Sequence, residues 1–161
     1  MYRHILVPTD GSRVAEQAAA AAISLARSVG ARLTALHVVP PSAVPRLEGW
    51  AHGDRDFSAK FNQARERHGA MYLDAIREAA MLAGVPCECA IVHGASPSGA
   101  IVREARARGC DLVVMGSHGR RGPGGLAGSE TLKVVALGGI PVLAHHAAWP
   151  AAAGLRQSPA A

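Results

Sequence analysis

The chain has 161 residues, 49% of them hydrophobic and 18% charged, which suits one domain with a sizeable core. Its 18 glycines and 10 prolines follow no Gly-X-Y period and form no extended low-complexity tract, excluding collagenous and largely disordered readings. The formal net charge of +5, from 17 basic and 12 acidic residues, suits acidic partners without choosing between nucleic acid and small anions.

The N-terminus runs straight into a strand-like stretch, with no signal peptide, and no apolar run approaches the ~20 residues of a membrane-spanning helix. Three cysteines, Cys87, Cys89 and Cys110, make no disulfide framework and fit a reducing compartment. These features predict a cytoplasmic protein without membrane insertion.

In chain order, the first apolar run is Ile5-Leu6-Val7. The clearest helix follows. Val14, Ala18, Ala21, Ala22, Leu25 and Val29 recur at helical spacing, with Ser12 placed to cap the start and Gly30 to close the end. A second run, Leu33 to Val39, leads into Pro40 to Asp56, whose prolines and glycines predict a long loop. A helix over about Ser58 to Ala83 is expected to face inward through Tyr72, Ala75, Ile76, Ala79, Leu82 and Ala83 and to stop at Gly84. The run Cys87 to Val92 would set Cys87 and Cys89 on one strand face as small buried residues. Ser96-Pro97 opens a helix that ends at Gly109, and Leu112 to Met115 forms the next run. The last helix starts near Ser129 and ends at Gly138-Gly139, before the run Ile140 to Ala144. Residues 1–146 are thus the expected domain, and the Ala/Pro-rich residues 147–161 a flexible tail.

Short apolar runs alternating with helices predict an α/β fold. Its core would be a five-stranded parallel sheet with helices on both faces, Rossmann-like in architecture. Ligands of such sheets bind beyond the carboxyl ends of the strands. The first strand ends in Pro8-Thr9-Asp10-Gly11-Ser12. The fourth runs into Gly116 to Ser129, with six glycines in 14 residues and the pair Arg120-Arg121. Glycines let backbone N–H groups approach an anion, the start of the next helix adds the positive end of its dipole, and the arginines supply charge-assisted bonds to phosphate. The bland alternative is a surface loop whose glycines only relieve strain. No P-loop lysine is present. Gly122 to Ala127 matches the dinucleotide spacing only formally, lacking an adjoining strand and the distant acidic residue.

The chain resembles the universal stress protein family. The resemblance rests on His4-Ile5-Leu6-Val7-Pro8-Thr9-Asp10-Gly11-Ser12, Leu36-His37-Val38-Val39, Asp111 to Gly119, Gly128-Ser129 and Ile140-Pro141-Val142-Leu143, in the family's order over about residues 2–145. It implies a cytosolic regulatory or signalling module in stress response that binds ATP, with Mg2+ bridging the phosphates. Asp10 would lie beside ribose and adenine, with Pro8 and Thr9 lining that pocket. Val39 would touch adenine through its backbone, and Met115 would cover part of the base pocket. Gly116, Gly119, Gly128 and Ser129 would surround the phosphates, with His118 a further candidate contact. The resemblance also implies a homodimer through Pro141, Val142, Leu143 and Ala144, an apolar edge that partner pairing would cover.

Two features depart from the family pattern. The segment Arg120 to Ala127 is one residue short, and Glu130 stands where an apolar residue is usual. They motivate a second reading, a dimeric adaptor that binds no nucleotide. A cyclic AMP binder and a slow ATPase are further alternatives, the ATPase ranked lower because no general base or nucleophile stands beside the glycine-rich segment.

Other chemistry fits less well. Asp10-Gly11-Ser12 lacks the upstream nucleophilic aspartate of the Asp-x-Asp-Gly phosphatase loop, where Pro8 stands. Cys87-x-Cys89 lacks zinc-ligand spacing, and no Ser/His/Asp triad stands out. The arginines are dispersed and aromatics few, which argues against specific nucleic-acid recognition.

Overall fold

The structure, a computed structural model, describes residues 1–41, 57–117 and 129–146. Most of the loop predicted after Val39, the segment from His118 to Gly128 and the predicted tail lie outside the described residues. The elements are β1 (His4–Pro8), α1 (Arg13–Val29), β2 (Arg32–Val39), α2 (Phe57–Leu82), β3 (Cys87–His93), α3 (Pro97–Ala107), β4 (Leu112–Gly116), α4 (Ser129–Gly138) and β5 (Val142–His145). The strands pair in parallel in the order β3-β2-β1-β4-β5, the α/β architecture expected from the apolar runs.

Successive strand residues point to opposite faces, and both faces are apolar. Ile5 and Val7 of β1, Leu33 and Ala35 of β2, and Leu112 and Val114 of β4 pack with Ala18, Ala22 and Ala26 of α1 and with Leu73, Ile76 and Ala80 of α2. Leu6, Leu36, Val113 and Met115 form the other core with Ile101, Val102 and Ala105 of α3 and Val134 of α4. Burial on both faces explains why these runs lack polar alternation. No helix of the described residues is long and apolar enough to cross a membrane.

Ser12 caps α1 by accepting from Ala15 N at 3.3 Å, and Gly30 closes it at φ +70°. The expected face of α2 needs correction. The inward face of α2 is Gly69, Leu73, Ile76 and Ala80, whereas Ala75, Ala79 and Leu82 are exposed. Alanines on several faces make the helix weakly amphipathic, so only contact with the sheet selects one face. At the end of α4, Gly138 is still helical and packs near Val102, and Gly139 makes the left-handed stop at φ +57°.

Polar bonds lock the amino end of the sheet. The Asp111 carboxylate accepts from Arg3 N and His4 N, each at 2.9 Å in the shorter contact. Partial burial opposes its charge, but these bonds outweigh it and hold the carboxyl below its ordinary range. His4 is buried, and its Nδ1 faces the Arg108 carbonyl at 3.1 Å. A carbonyl only accepts, so Nδ1 carries the proton and Nε2 accepts from the Thr34 hydroxyl at 2.8 Å. Burial, reinforced by Arg32, lowers the His4 pKa from 6.5 and keeps the ring neutral.

Candidate functional site

The chain leaves β1 toward α1 on one face and β4 toward α4 on the other, although β1 and β4 are hydrogen-bonded neighbours. A crevice beyond their carboxyl ends follows from that reversal of winding.

The β1 side is a tight turn. Thr9 N donates to Leu36 O (2.8 Å), while the Thr9 hydroxyl accepts from Gly11 N (3.1 Å). Asp10 Oδ1 accepts from Ser12 N at 3.0 Å, so Asp10 shapes the approach to α1 while Ser12 makes the expected cap. Gly11 sits at φ +73°, and a Cβ there would lie 2.3 Å from the Tyr72 ring. Only glycine satisfies both constraints.

His37 and Tyr72 complete this corner and were not recognised as site residues from sequence. His37 donates through Nδ1 to the Thr9 carbonyl at 2.9 Å, and its ring meets Tyr72 edge-on at 5.9 Å. A Cβ at position 69 would lie 2.3 Å from His37 Cδ2. A glycine inside a helix costs up to ~1 kcal/mol relative to alanine, so Gly69 was the available signal that something approaches α2 closely there.

On the β4 side, Ser117 N donates to His145 O at 2.7 Å, and the Thr131 hydroxyl donates to the Gly116 carbonyl at 2.9 Å. The first turn of α4 is thereby tied directly beyond β4, with the positive end of its dipole at the crevice. Ser129 is its first residue. Glu130 turns to α3 instead. Its Oε2 accepts from Ser98 N at 2.8 Å, beside the Ser96 cap, and its Oε1 binds Lys133 at 2.8 Å. Partial burial works against the charge, but Lys133 and the Ser98 N–H prevail and hold Glu130 below its ordinary range. The carboxylate thus serves the start of α3.

Of the residues singled out from sequence, Pro8, Thr9, Asp10, Gly116 and Ser129 gather at the carboxyl ends of β1 and β4 or the start of α4. Val39 and Met115 are buried, and the Val39 carbonyl accepts from Gly94 N at 3.1 Å. His118, Gly119, Arg120, Arg121 and Gly128 lie outside the described residues. Pro141, Val142, Leu143 and Ala144 lie along the β5 edge, with Leu143 41% exposed.

Comparison with known proteins gives the same fold and the same sequence span. The universal stress protein family matches residues 1–146. A Thermus aquaticus protein described as "universal stress protein in QAH/OAS sulfhydrylase 3'region" is 35% identical over 144 residues, covering 89% of this chain and 98% of that one. The universal stress protein UspA from Lactobacillus plantarum has a similar structure, with a TM-score of 0.76 and 28% identity over 89% of this chain and 97% of that one. A universal stress protein solved in complex with cAMP gives 0.66 at 26% identity, over 91% and 99% of the two chains. By sequence along the whole folded domain and by architecture, the chain belongs to the universal stress protein family.

Proposed function

We propose that the crevice between β1 and β4 binds an adenine nucleotide and that the protein acts as a cytosolic regulatory module, its signal being the nucleotide-bound state. The observation that carries this reading is the meeting of the Asp10 turn with Gly116 and the first turn of α4 where the sheet reverses its winding. An ionised carboxylate accepts from ribose hydroxyls, and a helix N-terminus favours phosphate, so the two sides suit opposite ends of a nucleotide. Glu130 is bound to Ser98 N and to Lys133, whose cation offsets part of the charge that would oppose a phosphate. ATP is the preferred ligand, with Mg2+ carried on its phosphates; the cAMP complex of a related protein supports an adenine and ribose pocket. No catalytic residue is assigned.

Calorimetry with ATP and magnesium tests this reading. Binding weakened by Asp10→Ala is expected, and no heat at millimolar ATP would overturn it. The exposed apolar residues Leu132, Val135, Leu137 and Leu143 of α4 and β5 favour a homodimer through that edge. Light scattering should give twice the chain mass, and a Leu143→Asp variant should be monomeric.

A further inference from the structure

Away from the crevice, Cys87 and Cys89 occupy alternate positions on β3, the strand at one edge of the sheet. They share the face covered by α1 and α2, and neither is fully buried. The Cys87 thiol approaches the Glu88 carbonyl at 3.6 Å and the Cys89 thiol the Leu73 carbonyl at 3.5 Å. A cavity of about 390 Å³ opens beside Cys87, lined also by Arg77, Met81, Gly84, Val85 and Pro86. Met81 is 70% exposed, placing a second kind of sulfur donor at its mouth.

The spacing selects among the reactions open to two thiols. A strand rises ~3.3 Å per residue, so these Cα atoms stand ~6.6 Å apart, near the ~6.8 Å limit for a disulfide. Closing an S–S bond would pull β3 against its continuous pairing with β2 from Cys87 to His93. A linear S–metal–S unit spans about twice a metal–sulfur bond of ~2.3 Å, or ~4.6 Å, which side-chain rotation alone can meet. Burial pushes the Cys87 thiol up to about 11 and raises Cys89, which makes both slow toward peroxide and thiol exchange. A thiophilic metal ion displaces the protons directly.

We propose that Cys87 and Cys89 form a two-coordinate site for a soft monovalent metal ion, copper(I) or its analogue silver(I), entered through the cavity beside Met81. On binding, two S–H bonds break and two S–metal bonds form. Two protons pass to solvent, and no oxidation state changes. The resulting unit carries one negative charge. The Arg77 cation favours that charge at both sulfurs, while Asp74, paired with Arg77 at 2.8 Å, opposes it at Cys89. Among the described residues no group of three His, Cys, Asp or Glu side chains is placed to hold a metal, so ions that need such a set have no site here.

The test titrates the full-length reduced chain with silver(I) or copper(I) under anaerobic conditions and follows it by native mass spectrometry. One ion per chain and release of two protons are expected. Cys87→Ser and Cys89→Ser should each weaken binding by about 100-fold, whereas Cys110→Ala should not. A Cys87→Ala/Cys89→Ala chain that binds as tightly as the unmodified protein would overturn the proposal. A measurement without substitutions covers variants that fail to fold. One equivalent of silver should protect Cys87 and Cys89 from alkylation while Cys110 keeps its own rate, and failure to protect that pair overturns the assignment.

Discussion

The two ends of β1 and β4 use similar polar residues to opposite effect. At the amino end, Asp111, His4 and Thr34 bind one another's elements across the sheet, and Arg108 closes the set with its carbonyl. At the carboxyl end, Thr9 and Asp10 bond to N–H groups only two residues ahead and so hold a tight turn. Long-range bonds fasten strands to each other, whereas short-range bonds present a turn to the crevice. Substitution should therefore cost stability at the amino end and ligand affinity at the carboxyl end.

Gly11→Ala should have the largest effect and cross that division. The left-handed backbone alone costs ~1–2 kcal/mol, and the Tyr72 ring must also move, so a total loss of about 3 kcal/mol in chemical denaturation is expected. A loss below 1 kcal/mol would show that the turn yields easily. Asp10→Ala should weaken ATP binding by about 30-fold, or ~2 kcal/mol, with little change in Tm. Equal losses in affinity and stability would erase the distinction between the ends.

Asp111→Ala should lower stability by about 1 kcal/mol by leaving Arg3 N and His4 N without their acceptor, and leave ATP affinity as it was. The same end predicts an acid response. His4 has a pKa below 6.5 in the folded chain, so the unfolded chain binds the proton first. Its contribution is complete above about pH 6.5 and lost as pH falls through that value toward the folded pKa. Asp111 acts lower: its depressed pKa stabilises above the ordinary 3.8, and this is lost as pH falls through the folded value. A Tm that is level above pH 7 and declines below 6.5, with a smaller decline in His4→Gln, would agree.

Glu130→Ala should show the smallest effect, a loss of about 0.5–1 kcal/mol from the start of α3 with ATP affinity changed less than about twofold. A tenfold gain in affinity would mean that this carboxylate acts on the phosphates.

Local chemistry explains what was readable in advance. Ser12, Ser96, Pro97, Gly30 and Gly109 mark helix ends because caps and left-handed stops depend on a residue and its immediate neighbours. The face of α2 was misread because Ala75 and Ala79 are as acceptable facing inward as Ala80, and nothing local separates them. The partnership of His37 with Tyr72 was hidden for a related reason. Two side chains 35 positions apart meet only when α2 lies over the ends of β1 and β2.

Sequence alone determined the alternation of strands and helices and the resemblance to the family, since periodicity, turn residues and motifs are local properties. Only tertiary structure decided where Glu130 directs its charge, which face α2 buries and that Cys87 lines a cavity. Those outcomes depend on which elements become neighbours, and packing a two-faced sheet makes that choice. The basic balance with which the chain presents itself gains its meaning the same way, from where Arg32, Arg77 and Lys133 stand relative to His4, Cys87 and Glu130.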